Sequence, residues 1–337
     1  MTRVLLAGLP RSGTSWLGDI FAAAPGVRYV FEPDTWDHDP TAILGLRWLG
    51  PEPHLQPGQR AANYRLLWRF AFGGGWTSGG VTNAATVVRL MSAAKMPMSR
   101  RISLSRRVAR LAARSRTPGP HTVVKSVMAC QTLEWIVHEF TPEVVVVWRH
   151  PMNLVPSWRD RGWSANVILG DPKFLEFLRT TRWGPEDFPV GGAKALRERF
   201  GETPLWPPPD DGLARTGWVL CAESVVLLET AAAHPEWTVI GHERFCLDPV
   251  PGLRAMFARF GIEWVDEVDR LLTLSDRPGS GYEKSRRRVE EPLRWKERLT
   301  PAEQEELLAM VRAFEAESDV AASAWRASPA MDLDKTR

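Results

Sequence analysis

The sequence has little of what several common classes of protein require. Its three cysteines, Cys130, Cys221 and Cys246, lie far apart, so neither a disulfide framework nor a cysteine-ligated zinc site is indicated. No apolar run is long enough to cross a membrane, and the run from Val4 to Ala7 is too short for the core of a signal peptide. These absences predict a protein of a reducing, cytoplasmic compartment.

A strong excess of charge is also missing. The 43 Lys and Arg residues nearly balance the 40 Asp and Glu residues, and a net charge of +3 does not indicate a nucleic-acid partner. The basic residues are uneven, however, because the segment from Arg100 to Arg116 is densely basic and has an apolar stripe at helical spacing. We expect either an amphipathic helix with a solvated basic face or a docking surface for an acidic, glycolipid or membrane-associated substrate.

The most informative motif is the stretch from Arg3 to Phe21, in which an apolar run is followed by a Gly/Pro-punctuated turn and then a helical pattern. It fits most of the phosphate-binding template G-x-x-x-x-G-K-[ST], at positions Gly8, Gly13 and Ser15. Thr14 stands where the template has Lys. Backbone N–H groups at a helix start still favour an anion, and Arg11 within the loop can supply the positive charge.

Short apolar runs alternate with helical patterns along the chain and predict a parallel α/β sheet with right-handed crossovers. After the first run, the predicted strands are Val27 to Phe31, His121 to Val127, Glu143 to Trp148 and Trp237 to Gly241. We therefore expect an α/β, P-loop-like, three-layer fold whose central, mainly parallel sheet has five strands flanked by helices. Further predictions are a long helix from Gly217 to Ala233 and a helix start with a capping box at Thr300.

The irregular stretches at about 34–120 and 160–216 are expected to be insertions of loops and helices that cover an acceptor site. The sequence thus predicts one domain over residues 1–330, with a C-terminal tail at 331–337, and no internal repeat is visible.

Ligands of parallel sheets bind beyond the carboxyl ends of the strands. Arg11, Glu32, Lys125 and Arg149 are all predicted at such ends. A Mg·NTP enzyme should keep the loop Lys and place an acidic residue after a strand to hold the metal, whereas this chain has Thr14 and Arg149 there. The expected ligand is therefore a polyanion held directly by arginine and lysine, without a metal.

The stretches GLPRSGTSW and VVVVWRHPMNLVPSW resemble two motifs of the PAPS-dependent sulfotransferases, the 5′-phosphosulfate loop and the 3′-phosphate motif. In the second motif an Arg at a strand end and a Ser eight residues later bind the 3′-phosphate, and Arg149 and Ser157 have that spacing. VVKSV resembles the strand whose Lys, here Lys125, contacts the transferring sulfuryl group. PLRWKERLT resembles the C-terminal Trp segment of carbohydrate-type members.

This resemblance implies a donor site for PAPS, with PAP as product. The residues that it assigns to the donor are Arg11, Ser12, Gly13, Thr14, Ser15, Trp16, Arg149, Ser157, Arg286, Arg287 and Arg288. Trp16 is also expected to pack at the helix start. The arginine run at 286–288 either closes over the 3′-phosphate or is a solvated run of charge.

The chain departs from the cytosolic phenol and steroid members and is closer to carbohydrate and bacterial-type members. Val127 stands where the former place a catalytic His, and His150 stands where Asp is frequent, with local hydrogen bonding as its expected role. Glu32, in a segment FEP that resembles bacterial trehalose-type members, is the predicted catalytic base. His38 is the second candidate. Alternatively, Glu32 pairs with Arg11 or Lys125 and only tunes them.

The expected activity is sulfuryl transfer from PAPS to a hydroxyl by metal-free in-line attack, as in EC 2.8.2 enzymes. The FEP segment favours a carbohydrate or glycoconjugate acceptor, and aromatic faces suit sugar rings. A small phenolic or lipidic acceptor is the alternative. Two other classes stay open: a degenerate P-loop kinase, in which Asp34 would hold a metal, and a nucleotide-binding module without catalysis.

Overall fold

The structure, a computed structural model, describes residues 2–35, 42, 45–46, 49–50, 52–73, 120–163, 192–201, 212–279 and 287–332. Its strands are β1 (Thr2–Ala7), β2 (Val27–Phe31), β3 (His121–Ser126), β4 (Glu143–Trp148) and β5 (Thr238–Gly241). The helices of the first two thirds of the chain are α1 (Thr14–Ala22), α2 (Ala62–Gly73), α3 (Leu133–Phe140), α4 (Pro151–Arg159), α5 (Gly192–Phe200) and α6 (Gly212–Ala232). They are followed by α7 (His242–Leu247), α8 (Pro249–Phe260), α9 (Asp266–Ser275), α10 (Trp295–Arg298), α11 (Pro301–Glu317) and α12 (Asp319–Arg326). Short 3₁₀ segments lie at Cys130–Thr132, Arg288–Leu293 and Pro329–Met331.

The five strands form one parallel sheet in the order β2-β3-β1-β4-β5, which confirms the predicted α/β fold class. The bounds of β2 to β5 agree with the sequence to within one residue, and β1 begins two residues before the apolar run at Val4. Strand β3 ends at Ser126 rather than Val127 because the Ser126 hydroxyl accepts hydrogen bonds from the backbone N–H groups of Met128 and Ala129, which turns the chain. Strand β5 begins one residue late because the Trp237 N–H donates to the His234 carbonyl in a turn.

The described chain divides into two compact units. The first unit comprises Met1–Ala7, Leu17–Val144 and Asn166–Ala195, and the second comprises Gly8–Trp16, Val145–Ala165 and Leu196–Arg337. The single domain over residues 1–330 stays a prediction.

The core of the first unit combines buried β-branched residues of the strands with an aromatic cluster on α2 and α3. Both helices bury one face, and their rings lie 5.4–6.4 Å apart. The members of this cluster are Tyr64, Trp68, Phe72, Trp135 and Phe140. The cluster supports the sheet at β3, because α2 packs on that strand.

The second unit is organised around α6, which packs on α4, α11 and α12. The helix is longer than predicted and begins at Gly212. Gly217 permits the close approach of α11, because a Cβ there would lie 2.9 Å from Leu307. Helix α11 itself begins with the predicted capping box: the Thr300 hydroxyl accepts from the Glu303 N–H, and the Glu303 carboxylate accepts from the Thr300 N–H at 2.8 Å.

Two predictions concern parts of the chain that the structure describes incompletely or not at all. Helices α2 and α5 lie within the predicted insertions, while the basic segment from Arg100 to Arg116 lies outside the described residues. Among the residues described, no helix has the length and hydrophobicity needed to cross a membrane.

Candidate functional site

The loop between β1 and α1 is a tight turn with two residues in the positive-φ region. The Ser12 N–H donates to the Leu9 carbonyl at 3.0 Å. Arg11 and Gly13 have φ values of 76° and 100°, in the region that favours glycine. Gly8 must also be small, since a Cβ there would collide with the Val147 carbonyl. Within the second unit, the loop therefore lies directly against the end of β4.

Contacts across the second unit join the two sequence motifs. The Arg11 Nε donates to the Ser157 Oγ at 3.0 Å, and the Arg149 Nη1 donates to the Arg11 carbonyl at 3.1 Å. The Trp158 Nε1 on α4 donates to the Pro10 carbonyl at 3.0 Å. Arg11, Arg149 and Ser157, separated by up to 146 positions in sequence, are thus parts of one cluster.

The guanidinium of Arg149 is 6% exposed and lies between two buried carboxylates. Its Nη2 donates to the Glu291 Oε2 at 2.9 Å, and its Nε lies 3.9 Å from the Glu243 Oε1. Burial acts to raise the pKa of Glu291, but the positive charge of Arg149 and other donors outweigh it and lower that pKa to about 2. Burial raises the pKa of Glu243, and the charge of Arg149 opposes the rise. Glu291 is therefore a carboxylate at any working pH.

Two buried histidines support this cluster. The His242 ring lies against the loop, where a Cβ on Gly13 would clash with its Nδ1. Burial, followed by the charge of Arg149, lowers the pKa of His242 to about 3, so the ring is neutral. His150 caps α4, since its Nδ1 accepts from the Met152 N–H at 3.2 Å, and burial lowers its pKa to about 3. That is the local hydrogen-bonding role expected from the sequence.

The other loop residues assigned to the donor differ in their surroundings. Ser12 and Thr14 are buried, and the Ser12 Oγ has no hydrogen-bond partner among the described residues. The Trp16 indole donates to the Ser275 Oγ at 2.9 Å and packs edge-on against Phe245, which is a packing role. Ser15 is half-buried at the helix start.

The C-terminal arginine run is only partly described. Arg288 donates from its backbone and its guanidinium to the Asp276 carboxylate at 2.9 and 3.0 Å. Arg287 lies on the surface, 3.5 Å from Glu290. Arg286 lies outside the described residues, so the proposed closure over a phosphate stays a prediction.

The first unit contains the other cation–carboxylate cluster. The Lys125 Nζ donates to the Glu32 Oε1 in a buried ion pair and lies 4.6 Å from the centre of the Phe31 ring. Glu32 has a φ of 45°, and its N–H donates to the Lys125 carbonyl at 2.8 Å. The pairing of Glu32 with Lys125 is the alternative left open by the sequence. His38, the second candidate base, lies outside the described residues.

Asp34 completes the cluster of the first unit. It is wholly buried, and its Oδ2 accepts from the Ser126 hydroxyl at 2.7 Å, while its Oδ1 has no hydrogen-bond partner among the described residues. Burial raises the pKa of Asp34 to about 7, although the Ser126 hydrogen bond opposes the rise. Asp34 therefore changes its charge near neutral pH.

Sequence reasoning missed several residues of these clusters. His242 and Glu243 directly follow β5, so the rule that sites lie at the carboxyl ends of strands could have found them. Glu291 had no such signal, because it lies on a 3₁₀ segment 142 positions from Arg149. No group of three or more His, Cys, Asp or Glu in the described part of the chain is arranged to hold a metal ion.

No protein-family model matches the sequence, and no curated protein matches it either. The solved structures that match the chain include three sulfotransferases. Mouse sulfotransferase SULT7A1 in complex with PAP is 13% identical, with a TM-score of 0.42 over 96% of this chain and 88% of that chain. The sulfotransferase domain of the Synechococcus PCC 7002 olefin synthase is 12% identical, with a TM-score of 0.38 over 93% and 94% of the two chains. The sulfotransferase domain of the curacin biosynthetic pathway is 11% identical, with a TM-score of 0.41 over 93% and 98%.

The loop geometry predicts a steric requirement at Gly13. Gly13→Ala should lower stability more than Gly261→Ala, because both positions have positive φ but only a Cβ at Gly13 meets another group, the His242 ring. Strain alone should cost on the order of 1–3 kcal/mol, and the clash should add to it. Urea unfolding of the two variants measures the difference. Equal losses would show that His242 does not constrain the loop.

The burial of Asp34 predicts a pH-dependent stability. Its pKa is higher in the folded than in the unfolded protein, so its contribution is present at low pH and is lost as the pH rises through about 7. Asp34→Asn should therefore gain stability relative to wild type between pH 5 and pH 8, by about 1–4 kcal/mol. The buried histidines affect both proteins alike, so the difference between their unfolding curves isolates Asp34. The exposed Glu317→Gln is the control, and a flat difference curve would contradict the assignment.

Proposed function

We propose that this protein is a PAPS-dependent sulfotransferase that transfers a sulfuryl group to a hydroxyl of an acceptor. The observation that carries the proposal is the contact of Arg11 with Ser157 and of Arg149 with the Arg11 carbonyl. A phosphate-binding loop and an Arg–Ser pair of eight-residue spacing are thereby joined in one buried cluster. A nucleotide with phosphates on both its 5′ and 3′ sides needs such a pairing of motifs.

The second unit would hold the donor through its own residues. Arg11 and the backbone N–H groups from Ser12 to Ser15 bind the 5′-phosphosulfate, where the N-terminus of α1 adds favourable charge. Arg149 and Ser157 bind the 3′-phosphate, because a guanidinium fork matches phosphate oxygens. The buried, unpartnered Ser12 hydroxyl supports this fit, since such a group calls for an acceptor or donor in the bound state.

The same residues favour direct binding of the anion by cations over binding through a metal. Arg149 follows β4 at the place where a Mg·NTP enzyme would put an acidic metal ligand, and Thr14 replaces the lysine of the phosphate loop. A degenerate P-loop kinase leaves the Arg149–Ser157 pair without a purpose. A donor with a 3′-phosphate gives both residues a role.

In the proposed transfer, Lys125 and Glu32 of the first unit have different roles. Lys125 neutralises the sulfuryl oxygens, which carry charge in the transition state. Glu32 accepts the proton of the acceptor hydroxyl as its oxygen forms the new bond to sulfur. The bond from sulfur to the phosphate oxygen breaks, and PAP leaves with the electron pair. Before the reaction, Glu32 and Lys125 lie together in a buried ion pair.

The proposed acceptor is a carbohydrate or glycoconjugate hydroxyl. A carboxylate base after β2, in place of a histidine two residues after Lys125, supports this choice over phenols. A small phenolic or lipidic acceptor is the second candidate. The large rings Tyr64, Trp68 and Trp135 would support it if they lined the path of the acceptor. All three are buried in the core of the first unit, which favours a structural role for them.

The donor assignment predicts tight binding of PAP that does not depend on Mg²⁺. Arg149→Ala should weaken PAP binding by roughly 10- to 100-fold, because it removes a charge-assisted pair of hydrogen bonds to phosphate. Calorimetry with PAP and ATP, each with and without Mg²⁺, measures both effects. Arg159→Ala is the control, because that arginine lies at the end of α4 and pairs with Glu303 on the surface. Binding of ATP that requires Mg²⁺, with no preference for PAP, would refute the proposal in favour of a kinase-like protein.

The base assignment predicts a loss of turnover in Glu32→Gln. With an acceptor found by screening sugars and phenols against PAPS, kcat should fall by ~10²–10⁴-fold while the affinity for PAP stays unchanged. The double variant with Lys125→Met separates the two roles of Glu32. If Glu32 only tunes Lys125, Glu32→Gln will have no further effect once Lys125 is replaced. PAP binding without sulfation of any acceptor would favour a nucleotide-binding module.

A further inference from the structure

The guanidinium of Arg149 already holds an anion. Its Nη1 donates to the Arg11 carbonyl, and its Nη2 donates to the Glu291 carboxylate at 2.9 Å. Its Nε lies 3.9 Å from Glu243. If this guanidinium binds a phosphate, as the proposed function requires, the incoming dianion meets a site where Glu291 is hydrogen-bonded and ionised.

The two carboxylates beside Arg149 are held in different ways. Glu243 is fully buried and accepts from the His150 N–H at 3.1 Å and from the Asn153 Nδ2 at 3.0 Å. Those two hydrogen bonds hold the Glu243 carboxylate independently of Arg149. Glu291 instead accepts a second hydrogen bond from the Arg294 guanidinium, at 2.6 Å. A Glu291 side chain that leaves Arg149 therefore keeps a cationic partner.

The backbone near Glu291 is anchored separately from its side chain. The Asn153 Nδ2 also donates to the Pro292 carbonyl at 3.0 Å, which ties the 3₁₀ segment Arg288–Leu293 to α4. Glu291 can thus change its partner by rotation of its side chain, without release of this anchor. Glu290, the preceding residue, is exposed and lies 3.5 Å from Arg287. It shares the segment but makes no hydrogen bond or ion pair with Arg149 among the described contacts.

We propose that Glu291 competes with the donor's 3′-phosphate for Arg149, so that donor binding exchanges a carboxylate for a phosphate. An unpaired buried guanidinium is unfavourable, and Glu291 keeps it paired and oriented while the site is empty. The Arg149 Nη2 that would donate to the phosphate is already bonded to Glu291, so the phosphate and Glu291 compete for the same donor. Glu291 thereby sets the affinity for nucleotides that carry a 3′-phosphate and leaves others unaffected. This inference rests on the proposed function.

The test compares two nucleotides that differ only at the 3′ position. PAP and adenosine 5′-monophosphate are titrated calorimetrically into wild type and Glu291→Gln, which removes the charge but keeps the shape. We expect Glu291→Gln to bind PAP roughly tenfold more tightly, because the competing charge-assisted bond is gone. The affinity for adenosine 5′-monophosphate should change by less than about twofold. Glu290→Gln should change neither affinity, which controls for the loss of one negative charge on the same segment.

The opposite sign overturns the inference. If Glu291→Gln weakens PAP binding, Glu291 orients Arg149 for the phosphate instead of competing with it. An equal change for both nucleotides, or none for PAP, also contradicts competition at the 3′-phosphate. Melting temperatures verify folding, and Glu291→Asp, with its shorter carboxylate, is a second variant that should tighten PAP binding less. If the proposed function is wrong, wild type will bind Mg·ATP in preference to PAP. If only the competition is wrong, wild type will bind PAP and Glu291→Gln will not tighten that binding.

Discussion

A guanidinium removed from water is stable only when acceptors surround it, and in the second unit that guanidinium belongs to Arg149. Its partners come from three separate parts of the chain: it donates hydrogen bonds to the Arg11 carbonyl in the loop and to Glu291 on a 3₁₀ segment, and it lies 3.9 Å from the Glu243 carboxylate on α7. Each of these segments is therefore positioned partly by one buried charge. Burial, followed by the same charge, keeps the neighbouring His242 neutral, and the charge of Arg149 helps to keep Glu291 ionised.

The first unit also buries a cation, and there it is a lysine paired with a carboxylate and an aromatic ring. Lys125 is 2% exposed, and its charge is balanced by Glu32 and by the face of Phe31. The buried Asp34 accepts a hydrogen bond from Ser126 instead, and burial raises its pKa to about 7. Asp34 therefore takes up a proton as the pH falls through neutrality.

The parts of this arrangement that depend on local sequence could be predicted from the sequence. The run EVVVVW defined β4, and the eight-residue spacing placed Ser157 two turns along α4 from Arg149. The partners of Arg149 could not be predicted in the same way, because Glu291 reaches it through tertiary packing across 142 positions. The raised pKa of Asp34 also depends on burial that no sequence pattern reports. The pairing of Glu32 with Lys125 was foreseen only as one of two alternatives.

In the proposed donor site, the contact between Arg11 and Ser157 would let an arginine take over the role of the lysine in a phosphate-binding loop. Arg11 starts from a left-handed backbone position and donates its Nε to the Ser157 oxygen. A hydroxyl that accepts a hydrogen bond keeps its own proton to donate. Ser157 can therefore orient Arg11 and donate to a phosphate at the same time, whereas a lysine would gain no such fixed direction from its ammonium. In that proposal a different residue carries the charge, and the loop and α4 would bind the anion together.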